Sequence, residues 1–272
     1  TLSAKDLKLN ANSLDNSQGH ILHTGTDQLD LNFSQILNNQ SGEIRSNATQ
    51  VNLNTTSLNN TAGQLIHAGT GQLDIQVDQL QGNQGKILSN GQLQLQAGIL
   101  DLSQGVTSAE HIILKANQLN HQQGQLIQRG KQSPLTLAIQ QQLNNQLGFI
   151  QSQTLLNMDT GALNNQGGTL STAQGQDLNL KVKGLLDNSH SGKIYVGNNA
   201  NIQAGSIDNH TQGQINVQQN LKLNSQLQVN NQTGQIAANA DVQIQSQGID
   251  NSEGQISSVQ GRLELDAGTG LL

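Results

Sequence analysis

Cysteine and tryptophan are absent from the 272-residue sequence, and proline occurs once, at Pro134. Without thiols there is neither a disulfide framework nor a thiolate metal site. Aromatic residues make up 1% of the chain, as Phe33, Phe149 and Tyr195, so a core built around rings is excluded. Charged residues reach only 11%, against about 25% in an ordinary globular domain. The formal net charge is −6 and the pI near 5.5, which leaves no basic footprint for nucleic acid. No apolar run approaches the ~18 residues of a membrane-spanning helix. The opening Thr1-Leu2-Ser3-Ala4-Lys5 has neither an initiator Met nor a signal peptide, as expected of an internal fragment or a processed product.

What fills the chain instead is amide. There are 44 Gln and 33 Asn, 28% of all residues, together with 29 Gly. Such a composition fits two states: a disordered, aggregation-prone segment, or amides stacked in ladders where equivalent strands lie above one another. The spacing of the aliphatic residues separates the two.

That spacing is regular. Leu14-Asp15-Asn16-Ser17-Gln18-Gly19-His20-Ile21 recurs as Leu37-Asn38-Asn39-Gln40-Ser41-Gly42-Glu43-Ile44 and as Leu58-Asn59-Asn60-Thr61-Ala62-Gly63-Gln64-Leu65. The glycine returns twelve times, from Gly19 to Gly254, at intervals of 19 to 24 residues. Eleven of these twelve glycines have Ile or Leu two residues on, and Gly105, followed by Val106-Thr107, is the exception. About ten residues later each unit alternates apolar and polar, as in Leu29-Asp30-Leu31-Asn32-Phe33 and Leu73-Asp74-Ile75-Gln76-Val77. That is the two-residue period of a strand with one buried face. No segment carries a helical stripe.

A unit of about 21 residues cannot fold alone. Each buried aliphatic side chain contributes ~1.5–3 kcal/mol, whereas ordering the backbone costs ~1–2 kcal/mol for every residue. Stacking the units is the remedy, each coil pairing with those above and below. The expected fold is therefore all-β, a parallel β-helix solenoid of about twelve to thirteen coils of roughly 21 residues. Parallel crossovers favour a right-handed winding. At about 4.8 Å per coil the expectation is a single domain over residues 1–272, a rod roughly 60 Å long. Ile21, Ile44, Leu65, Ile87, Leu126, Ile150, Leu170, Ile194, Ile215, Ile236 and Ile256 should line its interior. The corner residues Asn16, Asn39, Asn60, Asn145, Asn165, Asn188, Asn209, Asn231 and Asn251, with glycines such as Gly19, Gly42, Gly63, Gly168 and Gly254, are the candidate structural site. There the glycine is expected to supply positive φ and the Asn to stack.

These residues resemble the filamentous haemagglutinin repeat family. Leu163-Asn164-Asn165-Gln166-Gly167-Gly168-Thr169-Leu170 followed by Asp177-Leu178-Asn179-Leu180, and Ile249-Asp250-Asn251-Ser252-Glu253-Gly254-Gln255-Ile256 with Leu263-Glu264-Leu265, carry the likeness nearly end to end. It covers about residues 2–270. The resemblance implies a right-handed β-helix stalk cut from a longer exoprotein of two-partner secretion or contact-dependent growth inhibition. Such a protein is exported from a Gram-negative cell through an outer-membrane β-barrel transporter and stays secreted or at the cell surface. The stalk would project a toxin region, or one that meets a host or neighbouring-cell receptor. Neither a secretion domain nor a toxin domain is recognisable within the chain.

Three successive units replace the corner Asn by Gly82, Leu102 and His121; a local bulge is expected there. Gln128-Arg129-Gly130-Lys131-Gln132-Ser133-Pro134 reads as an exposed loop. Tyr195 and Phe149 alternate outward as isolated aromatics, which form no platform for sugar stacking. A carbohydrate-binding or carbohydrate-cleaving β-helix is the alternative function, because glycoside hydrolysis needs only two carboxylates at a set separation. Asp187 and Asp208 occupy equivalent positions in adjacent units, yet both belong to the Asp-Asn corner, as do Asp15 and Asp250. The Asn-Thr-Asp, Gly-His-Gly and Arg-Ile-Lys signatures of polygalacturonases are missing, as are the Gly-x-Ser-x-Gly elbow and the calcium-binding Gly-Gly-x-Gly-x-Asp nonapeptide. The seven histidines lack zinc-site spacing and read as surface polar residues. No cofactor, metal or catalytic residue is expected.

Overall fold

The computed structural model describes residues 1–270. Every regular element among them is a β-strand, and there is no helix. The strands are parallel and stacked in about 13 turns of roughly 21 residues, a β-solenoid. Backbone contacts group the chain into two compact units, Thr1–Gln132 and the part from Ser133 onward.

In the first unit each turn contributes one short and one long strand. The short strands run from Leu2–Ala4 and His20–His23 through Glu43–Ser46, Gln64–His67 and Lys86–Ser89 to Val106–Ala109 and Gln125–Gln128. The long strands run from Lys8–Asp15 and Leu29–Asn38 through Gln50–Asn59 and Gln72–Gln81 to Gln92–Asp101 and His111–Asn120. Register aligns like with like. Ile21 sits level with Ile44, then Leu65 and Ile87, and Thr107 takes the same place before Leu126. Thr107 is 1% exposed, so the unit without the aliphatic residue keeps the register and merely places a hydroxyl inside. On the long strands Leu31, Leu53, Ile75, Leu95 and Leu114 form one column and Leu37, Leu58, Leu80, Leu100 and Leu119 another. All ten are buried. The alternation seen in the sequence is thus the alternation between this interior and solvent.

The second unit repeats the plan. Its short strands are Phe149–Ser152, Thr169–Thr172, Lys193–Val196, Gln214–Val217, Gln235–Ala238 and Gln255–Ser258. Ile150, Leu170, Ile194, Ile215 and Ile236 are buried in one column, while Ile256, in the last described turn, is half-buried. Its long strands begin with Leu135–Asn144, Leu156–Asn164, Leu178–Asp187 and Ala200–Asp208. Later turns split theirs in two, as Leu221–Ser225 with Gln228–Asn230 and Val242–Gln245 with Gly248–Asp250.

The expected bulge at the turns lacking Asn does not occur. Gln72–Gln81, Gln92–Asp101 and His111–Asn120 pair in constant register. Shifts fall elsewhere, between Ala11 and Ser13, Asn32 and Ile36, Ile139 and Gln142, Thr160 and Leu163, and Val182 and Leu185. The reason is packing. A Cβ on Gly82 would lie 2.8 Å from Leu80 Cδ2 and 3.5 Å from Leu102 Cδ2, so leucine side chains already close in on that position. The segment from Arg129 to Pro134 is exposed or half-buried as expected, but Gln128 is 0% exposed and its Oε1 accepts from Ile112 N at 3.0 Å.

Candidate functional site: the asparagine corner

Each turn passes from its long strand to the next short strand through a tight corner, and the repeated Asn lies inside it. Asn39, Asn60, Asn145, Asn165, Asn188, Asn209 and Asn231 are 0% exposed, and Asn16 is 8%. In the first unit Asn16 Nδ2 donates to Asn39 Oδ1 at 2.7 Å and Asn39 Nδ2 to Asn60 Oδ1 at 2.8 Å. In the second, Asn145, Asn165, Asn188, Asn209, Asn231 and Asn251 are joined in that order at 2.6–2.7 Å. Every such Nδ2 also reaches two carbonyls. Asn39 Nδ2 meets Gly42 O in its own turn at 3.3 Å and Gln64 O in the next at 3.2 Å. The amide therefore ties one corner to another while satisfying buried backbone acceptors.

The glycine has a different role from the expected one. Gly19, Gly42, Gly63, Gly168 and Gly254 do not adopt positive φ; the residue before each does, as at Gln18 (54°), Ser41 (53°), Ala62 (53°), Gly167 (60°) and Glu253 (56°). What the glycine position requires is the lack of a Cβ. On Gly63 that atom would lie 2.1 Å from Asn39 O and 2.7 Å from Asn60 Oδ1. Gly42, Gly168 and Gly254 face the equivalent pair, the carbonyl of the Asn one turn earlier (Asn16, Asn145, Asn231) and the Oδ1 of their own Asn (Asn39, Asn165, Asn251). The corners at Asn188 and Asn209 are one residue longer, with two left-handed residues each, His190–Ser191 and Thr211–Gln212.

Two further features escaped the sequence reading. The residue before the corner position makes an outer support: Asp15 Oδ1 accepts from Ser17 N at 2.9 Å, Asn59 and Asp250 do the same for the residue two ahead, and so does Asp101, where Leu102 stands in place of the Asn. These bonds hold two carboxyls below the usual range. Asp15 is lowered by the Ser17 N–H, then its hydroxyl, and Asp250 by the Ser252 hydroxyl, then its N–H. The second feature is an inward polar column in the first unit, two residues past the aliphatic. His23 Nδ1 lies 3.0 Å from Ser46 Oγ, and His67 Nδ1 2.8 Å from Ser89 Oγ. His67 Nε2 donates to Ala48 O at 2.8 Å, and burial lowers the pKa of its ring. His23, His67 and His121 are each at most 2% exposed, so these three are not the surface residues expected. The i+2 alternation that buries Ile21 also buries His23, and this was the available signal.

Asp187 and Asp208 are level in register and already engaged. Asp187 Oδ1 accepts from Ser189 N at 3.1 Å and Ser189 Oγ at 2.6 Å, and Asp208 Oδ1 contacts His210 Nδ1 at 2.5 Å. Ser189 lies beside both Asp187 and His190, but it is 0% exposed and gives its proton to the carboxylate. A nucleophilic serine would instead present its hydroxyl to the imidazole. Among the described residues no group of three His, Cys, Asp or Glu could hold a metal ion.

The haemagglutinin repeat matches residues 1–32, 24–71, 68–146, 134–232 and 226–271, overlapping along the chain. The chain belongs to the haemagglutinin repeat family. The corner asparagines from Asn16 to Asn251 all lie within the matched residues. No curated protein and no solved structure matches the chain.

Proposed function

We propose that these haemagglutinin repeats are the stalk of a filamentous adhesin-type protein, secreted or held at the cell surface. One observation carries the reading: each turn spends its chemistry on its neighbours. The aliphatic columns, corner amides and backbone ladders all run from turn to turn; Asp15, Asp187, Asp208 and Asp250 are bound within corners, and His23 and His67 are buried on the short strands against Ser46 and Ser89. A stack of this kind propagates position along the chain, which is what a stalk requires. No described helix is long and apolar enough to cross a membrane.

The finer parts of the proposal follow the family resemblance. The stalk would belong to a two-partner secretion exoprotein or growth-inhibition effector, leave a Gram-negative cell through an outer-membrane β-barrel transporter, and stand outside the outer membrane. A receptor-binding or toxin region would lie elsewhere in the same protein. Catalysis is not part of the proposal.

Single-molecule pulling tests it. A stalk should unravel in steps that are multiples of one turn, about 21 residues or roughly 70 Å of extended chain. Release of reducing ends from pectin, capsule or glycosaminoglycan by the purified chain would replace the stalk by an enzyme.

A further inference from the structure

The second unit carries an open groove of about 890 Å³ on its short-strand side, within the size range of ligand sites. Its wall is a local insertion. Between Thr169–Thr172 and Leu178–Asp187 the chain runs through five residues, where the following turn needs only three between Lys193–Val196 and Ala200–Asp208. The extra loop is clamped. Thr172 Oγ1 donates to Gln176 O at 2.9 Å and accepts from Gly197 N at 2.9 Å, Gly175 N donates to Gly197 O at 2.8 Å, and Asp177 Oδ1 accepts from Asn198 Nδ2 at 2.7 Å. At its crest Gly175 has φ +76°, and a Cβ there would touch nothing. A wall fixed in advance lowers the ordering cost of binding.

The lining has a distinct chemistry. Not one Asp, Glu, Lys, Arg or His lines the groove. Tyr195 does, 37% exposed, its hydroxyl donating to Gln214 Oε1 at 2.6 Å, so the ring that reads in sequence as an isolated aromatic without a sugar platform is held in place inside a groove. Around it stand Gln174, Asn216 and Gln219, whose amides engage no other described group, and Gln218, which accepts from Asn239 at 3.0 Å and keeps its own N–H groups free. Backbone groups contribute little, because Lys193–Val196, Gln214–Val217 and Gln235–Ala238 are paired on both sides. An extended peptide would therefore find no open strand edge to join. The fitting ligand is uncharged, rich in hydroxyls and apolar on one face.

We propose that this groove binds a neutral oligosaccharide, one sugar face resting on Tyr195 and the hydroxyls meeting the amides of Gln174, Asn216 and Gln219. The groove spans four successive turns, about 14 Å at ~4.8 Å per turn, the reach of a tri- or tetrasaccharide. The inference does not depend on the stalk reading, since a spacer and a non-spacer would both present the groove.

The chain contains its own reporter: with one Tyr and no Trp, its intrinsic emission comes from Tyr195 alone. The whole chain is titrated with maltotetraose, chitotetraose and a neutral galactose-containing tetrasaccharide, and in parallel with a heparin-derived tetrasaccharide. At least one neutral sugar should change the emission saturably, with Kd on the order of 0.1–1 mM, while the sulfated one should not. Asn216→Ala with Gln219→Ala should weaken that binding roughly tenfold or more, as expected for two lost hydrogen bonds. Both positions face outward, and circular dichroism checks their folding. Should the double variant fail to fold, Tyr195→Phe and Tyr195→Ala, followed by calorimetry, decide instead: the first retains binding and the second loses it. Silence with every neutral sugar, binding of the sulfated sugar only, or equal affinity in the double variant overturns the proposal. So does preferential capture of peptides.

Discussion

Replacing Asn231 by Ala tests the corner most directly. The wild-type side chain accepts from Asn209 Nδ2 at 2.7 Å and donates to Asn251 Oδ1 at 2.6 Å, to Gln255 O at 3.1 Å and to Gly234 O at 3.3 Å. The two amide–amide bonds are short and Asn231 is 0% exposed, so each should be worth about 1 kcal/mol net. The longer carbonyl contacts add less, because Gly234 O keeps its bond from Gln255 N at 2.8 Å. A total loss of about 2–3 kcal/mol follows, or a fall in Tm of roughly 5–10 °C for a chain of this size. Gln228→Ala is the control: it removes an exposed amide that has no side-chain bond and should cost within about 0.5 kcal/mol. Asn231→Asp should be worse than Ala at neutral pH, since it places a charge in a sealed corner, and should recover as the pH is lowered and the carboxyl is neutralised. Thermal melts followed by far-UV circular dichroism read all three. Equal midpoints for Asn231→Ala and Gln228→Ala would refute the reasoning, because the corner amide would then contribute no more than a surface one.

The two adjacent corner residues should respond in opposite ways: Gly63→Ala, whose Cβ would meet Asn39 O at 2.1 Å, should destabilise by several kcal/mol, as overpacking against backbone does. Ala62→Gly, at φ +53°, should be neutral or stabilising by up to ~1 kcal/mol; melts of both variants check this. Leu102→Asn should lower stability by about 2–4 kcal/mol in a urea titration, since a buried aliphatic is lost and Gly82 offers no amide to stack on; a gain would mean that an isolated Asn suffices. His67 has a folded pKa below its ordinary 6.5 because of burial. The unfolded chain therefore takes up its proton first as pH falls, so the His67 contribution is complete above about pH 6.5 and is lost below it. The urea midpoint of wild type should drop between pH 7 and 5 more steeply than that of His67→Ser, which places there the residue found at Ser46 and Ser89.

The architecture was legible because the same signal is written twelve times. Ile21, Ile44 and Leu65 lie one above another because their spacing from Leu29, Val51 and Leu73 is nearly constant, and period-two alternation fixes which side faces in. The corner was only half legible. That Asn and Gly belong together could be read, but not which of them needs room: positive φ falls on Gln18, Ser41 and Ala62, residues with no shared chemistry, because the backbone pairing around them imposes the conformation. The left-handed cost of about 1–2 kcal/mol at such a residue is offset by the bonds of the corner. Buried polar residues were missed for a related reason. His23 and His67 sit at inward positions, but a hydroxyl one turn away satisfies each of them, and that partner is 22 or 23 residues distant in sequence. The groove beside Tyr195 needed the loop wall, which is a matter of how the insertion folds back and not of composition.

The left-handed corner residues also have a practical use. Gln18, Ser41 and Ala62 are exposed, tolerate unrelated side chains and recur once per turn. In a chain without native thiols, a single cysteine introduced at any of them would be the sole labelling point. Pairs at neighbouring tips would carry spin labels or dyes at increments of about 4.8 Å, which turns the first unit into a graduated ruler for short distances.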